Sequence, residues 1–370
     1  MKPQYVGILL NSSAYLGIPE GSTGTESIPC YEEAAADLGL IPCFFRITDI
    51  ALDTRTVLAW TPGHSGYVQT TVPLPKVIHN RSILQRPTHK KIIEHLITSG
   101  IYVFNAYNRY GKDLVHHMLA EQPETLSLLP HTAPARPSSI ALMLKKHRDV
   151  IVKPCSGSVG LGIMRLQRGR QHDRFTYSTS SPSAAAWRSA PARHGRLPAL
   201  LRRRISRQPF LVQERIPLAR YGGNPYDIRI TVQRGAQGTW EVTGMFARTT
   251  PQGTFVSNIA QGGIPLPIEG VLRDSFPAIP ACQLVERLEH FGLRIAAALS
   301  RHMLYAADFG IDAGLTSDGR LFFIECNGRD QRYGFQKAGM TEVWKETYRK
   351  PMAFARYLLK HRAWPEDDFR

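Results

Sequence analysis

The chain has 370 residues, 43% hydrophobic and 21% charged, with a formal net charge of +16. That length supports roughly two or three compact units, and the composition is that of an ordinary globular protein rather than a disordered or fibrous one. The opening apolar run in MKPQYVGILLNSS is too short for a signal-peptide core or a membrane span, and no later stretch reaches spanning length, so the expectation is a cytoplasmic protein with no membrane partner. The cysteines (Cys30, Cys43, Cys155, Cys282, Cys326) are odd in number and never form CxxC, which argues against a zinc ribbon or a disulfide framework.

The first hundred residues alternate between strand and helix patterns. YVGILL reads as a buried strand, SIPCYEEAAADLGL as a helix ending near Gly39, and IPCFFRI as a second strand. PKVIHNR is another strand, HKKIIEHLITSG a helix with Ile92, Ile93, Leu96 and Ile97 at helical spacing, and IYVFN a further strand. The alternation implies a small parallel sheet covered by helices. Asn80, Arg81 and Asn105 at strand ends would face a ligand crevice; for Arg81 a plain surface position is an equal alternative. GKDLVHHMLAEQPE follows as a helix, PHTAPARPSS as a linker, SSIALMLKKHRD as a helix and VIVKP as a strand.

Between Arg165 and Gln208 stand eleven Arg, no Lys and the single acid Asp173, a net of +10. This stretch, with STSSPSAAAW and PARHGRLPALLRRR, is expected to be a solvated insertion carrying a short basic helix, or else a docking surface for an acidic peptide or protein. Nucleic acid is disfavoured, because no aromatic-rich strand or recognition helix accompanies the charge. Beyond it, FLVQERI, YDIRITVQ, TWEVTGMFART and TFVSNI are short runs of antiparallel character. VERLEHFGLRIAAALSRHM is an amphipathic helix, YAADFGIDAGLT and RLFFIECN pair around the turn SDGR, and WKETYRKPMAFARYLLKHRAW closes the chain as a helix.

Three constellations carry chemistry. In VIVKPCSGSVGLG, Lys153 ends a buried strand before Gly157, Ser158, Gly160 and Gly162, so its ammonium and the backbone N–H groups can meet phosphate oxygens; a plain flexible turn is the alternative. In FGIDAGLTSDGRLFFIECNG, a hairpin at SDGR sets Asp312 opposite Glu325 and Asn327, which at i and i+2 share a face. Three oxygen donors open on one side suit Mg²⁺ with substrate phosphates. Asp308 is either an extra ligand or, as the favoured expectation, a residue that backs the ligands or holds the structure around this site. In FLVQERI, Gln213 and Glu214 end an apolar strand that could read an adenine edge. Asp227 and Arg229 lie two apart on one strand, and Arg248, Asn258 and Gly262-Gly263 follow; arginines there gather positive charge where a triphosphate lies, though surface ion pairs would look the same.

In this order, VIVKPxxGSxGxGI, VQExI, DIRI, FARxxxxGxFxSNxxxGG and D-x12-E-x-N resemble the ATP-grasp enzymes, and VGILL, VIHNR and IYVFNAYNRYGK are similar to its YheC/YheD branch of spore-coat-associated proteins. The resemblance implies an α/β N-terminal domain (residues 1–108) followed by an α+β ATP-grasp fold whose two lobes clasp ATP: a middle lobe (109–210, Arg-rich insertion at about 165–208) and a C-terminal lobe with the Mg²⁺ site (211–362), then a tail (363–370). It makes Lys153 and the Gly157–Gly162 loop the phosphate grip, with Lys112 a second contact. Gln213, Glu214 and Ile216 become the adenine hinge, and Asp227 the ribose partner. Arg229 and Arg248 face the transferred phosphoryl group, and Asp312, Glu325 and Asn327 hold Mg²⁺.

The implied activity is Mg²⁺- and ATP-dependent ligation of a carboxylate to an amine through an acylphosphate, with a peptide or amino acid as substrate and a link to the spore coat. An ATP-grasp kinase and a non-catalytic coat protein that retains the fold are the alternatives. After Asn327 the chain departs from the family pattern with GRDQRYGF, where Arg329 and Arg332 either contact the acceptor or lie on the surface.

Overall fold

The computed structural model describes residues 4–64, 66–157, 160–178 and 187–365. The N-terminal domain runs β1 (Tyr5–Leu9), α1 (Ser12–Leu16), α2 (Ile28–Ala36), β2 (Ile41–Phe45), β3 (Ile50–Ala51), β4 (Thr56–Gly63), β5 (Gly66–Pro73), β6 (Val77–Asn80), α3 (Pro87–Thr98) and β7 (Tyr102–Phe104). Its seven-stranded sheet has the order β3-β4-β2-β1-β6-β7, with β5 paired to β4. β1 is parallel to β2 and β6, and β6 to β7, as the strand–helix alternation predicts. The antiparallel hairpin β4–β5 is an addition that this alternation does not reveal. β1 is a continuous apolar run because both its faces are covered. One face packs Val6, Ile8, Tyr31 and Phe44 against Tyr348, Met352, Phe354 and Leu358 of the chain's final helix; the other packs Leu9 and Phe45 against Ile93 and Leu96. Gly7 is needed at the sheet centre, since a Cβ there would sit 2.8 Å from the Phe45 ring.

The middle lobe follows: α4 (Lys112–Ala120), β8 (Thr132–Pro134), α5 (Pro137–His147), β9 (Asp149–Pro154), β10 (Met164–Gln167), β11 (Asp173–Ser178), β12 (Trp187–Ala192), α6 (Ala199–Ile205) and β13 (Phe210–Glu214). Its six strands lie in the order β12-β11-β10-β9-β13-β8. The expected linker PHTAPARPSS thus contains an edge strand. The expected solvated insertion is corrected as well: β10, β11, β12 and α6 build one end of the sheet, and Phe175, Ala192 and Leu201 join Ile140, Val150 and Val152 in its core. The arginines hide this because they stand on the solvent side of β11 and β12 and the outer side of α6, where Arg174, Arg188, Arg202 and Arg203 are exposed. Most of STSSPSAAAW, residues 179–186, lies outside the described residues. α4 contributes Val115 and Leu119 to the core of the next lobe rather than to this one.

The C-terminal lobe comprises β14 (Arg220–Tyr221), β15 (Asn224–Arg234), β16 (Trp240–Thr249), β17 (Ile264–Pro267), α7 (Ile268–Ser275), α8 (Ala281–Ser300), β18 (Asp308–Leu315), β19 (Leu321–Asn327), α9 (Tyr333–Lys337) and α10 (Thr341–His361). Its sheet order is β17-β16-β15-β18-β19, with β14 on β15. α8 covers one face, packing Leu288, Phe291 and Ile295 against Ile228, Ile230 and Phe309. TFVSNI, expected as a strand, joins no ladder; Phe255 instead packs at a tilt against Trp187 of β12 with ring centroids 4.6 Å apart. Its apolar residues serve contact with the middle lobe, not a sheet. No helix among the described residues is long and apolar enough to cross a membrane.

Candidate functional site

The β18–β19 hairpin forms as its sequence suggests. Gly319 takes φ +78° in the SDGR turn, and the register pairs Asp312 with Glu325 and Gly310 with Asn327. The register shifts after Asp312, and such a bulge re-aims the side chains beside it. β15 supplies the other neighbours: Arg229 lies opposite Asp312 on β18, and Asp227 opposite Arg248 on β16. Because side chains two apart share a face, these pairs form one row of alternating charge. Arg248 forks onto Asp227 with two bonds of 2.8 Å and reaches Asp312 at 2.9 Å. Arg229 donates to Asp312 at 2.6 Å and to Asp330 at 2.7 Å. Burial would raise the Asp312 carboxyl, but the two guanidinium groups hold it below the usual carboxylate range.

From the middle lobe, β9 delivers Lys153 into the same space. Its ammonium donates to Gln213 Oε1 at 2.9 Å and, across the cleft, to the Ile324 carbonyl at 3.1 Å. Burial pushes its pKa down to about 8, and Glu325 opposes that shift. Lys112, at the start of α4, donates to Glu325 Oε1 at 2.9 Å and to the Gly157 carbonyl at 3.3 Å. Gly160 (φ +72°) lets the β9–β10 loop lie flat on the C-terminal lobe, since a Cβ would be 2.6 Å from Asn258 Oδ1 and 2.7 Å from Val256. Gly162 is also left-handed, at φ +78°. Ser158 lies outside the described residues.

Two cavities flank Glu325. The smaller, about 120 Å³, has an apolar side of Ile151, Ile163, Ile216, Leu218 and Phe255, and a polar side with Lys153, Arg248, Asp312 and Glu325. The larger, about 320 Å³, lies toward the N-terminal domain and takes in Arg109, Lys112, Gly157, Glu325, Asn327 and Arg329. An apolar slot beside a buried ammonium and carboxylates can hold a planar base and its phosphates. Asp312, Glu325 and Asn327 offer the hard oxygen donors that Mg²⁺ takes together with phosphate, so the donor chemistry fits the ion. Among the described residues no group of three His, Cys, Asp or Glu could hold a metal unaided.

The expected site residues therefore converge, with some roles changed. Gln213 orients Lys153 and bonds Thr132 at 2.8 Å, so its side chain is committed to the protein. Glu214 lines the slot, while its carboxylate accepts from His131 N at 2.8 Å and pairs with His147 at 2.9 Å. Asp227, expected to meet a ribose, is taken up by Arg248 and by the Ser257 hydroxyl at 2.5 Å. Arg248 lines the smaller cavity, whereas Arg229 lies behind Asp312 and acts through it.

Sequence reasoning missed Asp330, which anchors Arg229 and receives the Thr231 hydroxyl. It also missed the ionic joint between domains. Arg81, equally open to a surface reading, is buried between Glu26 at 2.8 Å and Asp308 at 3.5 Å. Arg332 is 1% exposed and donates to Asp308 at 3.0 Å and Tyr31 at 2.9 Å, so it neither lies on the surface nor reaches an acceptor. Asp308 belongs to this joint, paired with Arg81 and Arg332.

The family model described as YheC/D-like ATP-grasp matches residues 100–358. The chain is 24% identical over 337 residues to the endospore coat-associated protein YheD of Bacillus subtilis strain 168, covering 85% of this chain and 70% of that protein. To YheC of the same organism it is 23% identical over 332 residues, covering 86% and 89%. Among solved structures, the ATP-grasp ligase PsnB complexed with minimal precursor aligns at TM-score 0.52 and 13% identity, covering 93% of this chain and 99% of that one. D-alanyl-alanine synthetase A from Vibrio cholerae O1 biovar eltor aligns at TM-score 0.51 and 13% identity, covering 97% of each chain.

Proposed function

The chain belongs to the YheC/D-like ATP-grasp family, and from that premise we propose that it is a Mg²⁺- and ATP-dependent carboxylate–amine ligase. The observation that carries this reading is the 3.1 Å bond from Lys153 to the Ile324 carbonyl, which brings the middle lobe's cation beside the strand that bears Glu325. The base lies among Ile151, Ile163, Ile216 and Leu218, and the phosphates run toward Lys153 and the backbone at Gly157, Gly160 and Gly162. Asp312, Glu325 and Asn327 would hold Mg²⁺, which when bound neutralises phosphate charge.

A carboxylate oxygen from the larger cavity attacks the γ-phosphorus. The new O–P bond replaces the bond to the β-phosphate, whose oxygen leaves as part of ADP. An amine then adds to the acyl carbon of the acylphosphate, loses a proton and expels inorganic phosphate. Positioning and charge neutralisation do most of this work, which is why the site supplies cations and acids rather than a nucleophile. Arg248 steadies charge at the phosphoryl group, and Arg229 holds Asp312 in place. The two Bacillus subtilis relatives are endospore coat-associated proteins, which supports an association with the spore coat.

The test is ADP release driven by pools of acids and amines, with hydroxylamine added to trap the acylphosphate as a hydroxamate. A hydroxamate is expected, and Glu325→Gln should reduce turnover by about 10²-fold or more while leaving the melting temperature within a few degrees. A stable phosphorylated product in place of a hydroxamate would count against the ligase.

A further inference from the structure

Two cavities meet at the edge of the N-terminal sheet. The larger cavity already described is the inner one; an outer cavity of about 260 Å³ runs along α3 past Leu84, Gln85 and Lys90 to Ile93 and Tyr107. Ile83, Asn108 and Arg109 line both, so they are chambers of a single groove that leads from α3 to the acidic end of β19. Its charge is one-sided. Lys90, Arg109, Lys112 and Arg329 line it, and Glu325 is the one acid among the lining residues, already paired with Lys112. Lys90 and Arg109 are exposed. Arg329 reaches Glu26 at 3.3 Å with one nitrogen, while its buried Nε has no hydrogen-bond partner.

A single amino acid in the inner chamber would leave the outer one unfilled. The outer chamber combines two exposed cations with Ile83, Leu84 and Tyr107, which suits the stem and carboxylate of a neighbouring residue. We propose that the carboxylate substrate is an acidic peptide segment lying along this groove, its reacting carboxylate beside Glu325 and Asn327 and a second acidic residue against Lys90 and Arg109. The proposal rests on the ligase reading above and specifies its substrate class.

The test uses the full chain with Mg²⁺ and a non-hydrolysable ATP analogue, titrated with fluorescein-labelled tetraglutamate and tetraglutamine and read by anisotropy. Tetraglutamate should bind at least about tenfold more tightly than tetraglutamine, and Lys90→Glu combined with Arg109→Glu should remove about tenfold of that affinity. The analogue's own affinity, read separately, should stay within about twofold in the variant, which also reports an intact fold. Equal binding of the two peptides, or tetraglutamate binding indifferent to the charge reversals, overturns the proposal. If the analogue itself fails to bind the unmodified chain, the nucleotide reading fails first, and the two failures are told apart.

Discussion

Lys153 sits where burial and charge pull in opposite directions. Burial lowers its pKa to about 8 and Glu325 pulls it back up, so the ammonium is charged below that value and neutral above it. Phosphate attraction is therefore present at pH 7 and lost as the pH rises through 8. The affinity of the free chain for Mg-ATP should weaken by about tenfold between about pH 7 and pH 9.5, and Lys153→Arg, whose guanidinium stays charged, should flatten that profile in a binding titration. A profile unchanged by Lys153→Arg would assign the titration to another group. Lys153, Asp312, Glu325 and Asn327 were legible because each polar residue ends or interrupts an apolar strand. Asp330 and Arg332 were not, since GRDQRYGF alternates charge as a solvated loop does. What holds them comes from other elements: Tyr31, Asp308 and Tyr348 around Arg332, and Arg229 and Thr231 on Asp330.

At the level of elements, the register of β18 and β19 followed from the turn at Gly319 and from two-residue periodicity. The strands β10 to β12 did not follow from the sequence, because arginine-rich edges obscure a short alternation of Phe175 and Tyr177 with polar residues. Phe175 decides between the two descriptions: it is 3% exposed, inside the middle lobe's core. Phe175→Ala should cost about 3–5 kcal/mol in a urea titration, as large-to-small core changes do; in a solvated loop it would cost almost nothing. Charge reversal at exposed Arg188 or Arg202 should leave stability nearly unchanged.

Across the whole molecule, a buried ionic joint ties the N-terminal domain to the C-terminal lobe, while the β9 and β12 side of the middle lobe meets that lobe across the cleft. Contacts that close the cleft among the described residues include Lys153 on Ile324, Lys112 on Glu325, Gly160 on Val256 and Asn258, and Arg165 and Trp187 on Phe255. The 120 Å³ slot is smaller than usual ligand pockets, so admitting a nucleotide requires these contacts to part. The joint behaves differently. Burial already raises the Asp308 carboxyl against the pull of Arg332 and Arg81, and removing one arginine leaves charge stranded. Arg332→Ala should therefore destabilise the chain by about 3–5 kcal/mol, visible as a lowered urea midpoint without change in the Mg-ATP affinity of the folded fraction. A midpoint that stayed put would show the joint to be dispensable.

The return of α10 to the first sheet has a consequence for synthesis. Tyr348, Met352, Phe354 and Leu358 pack against α2 and β6 and complete a core that the chain's first half leaves partly open. While the ribosome is still translating the middle of the message, the nascent N-terminal half carries greasy surface with nothing to lay against it. Its maturation waits on codons near the far end, so a premature stop before residue 348 should damage the earliest-made strands as much as the missing helix, and holding chaperones would be needed for most of the elongation time.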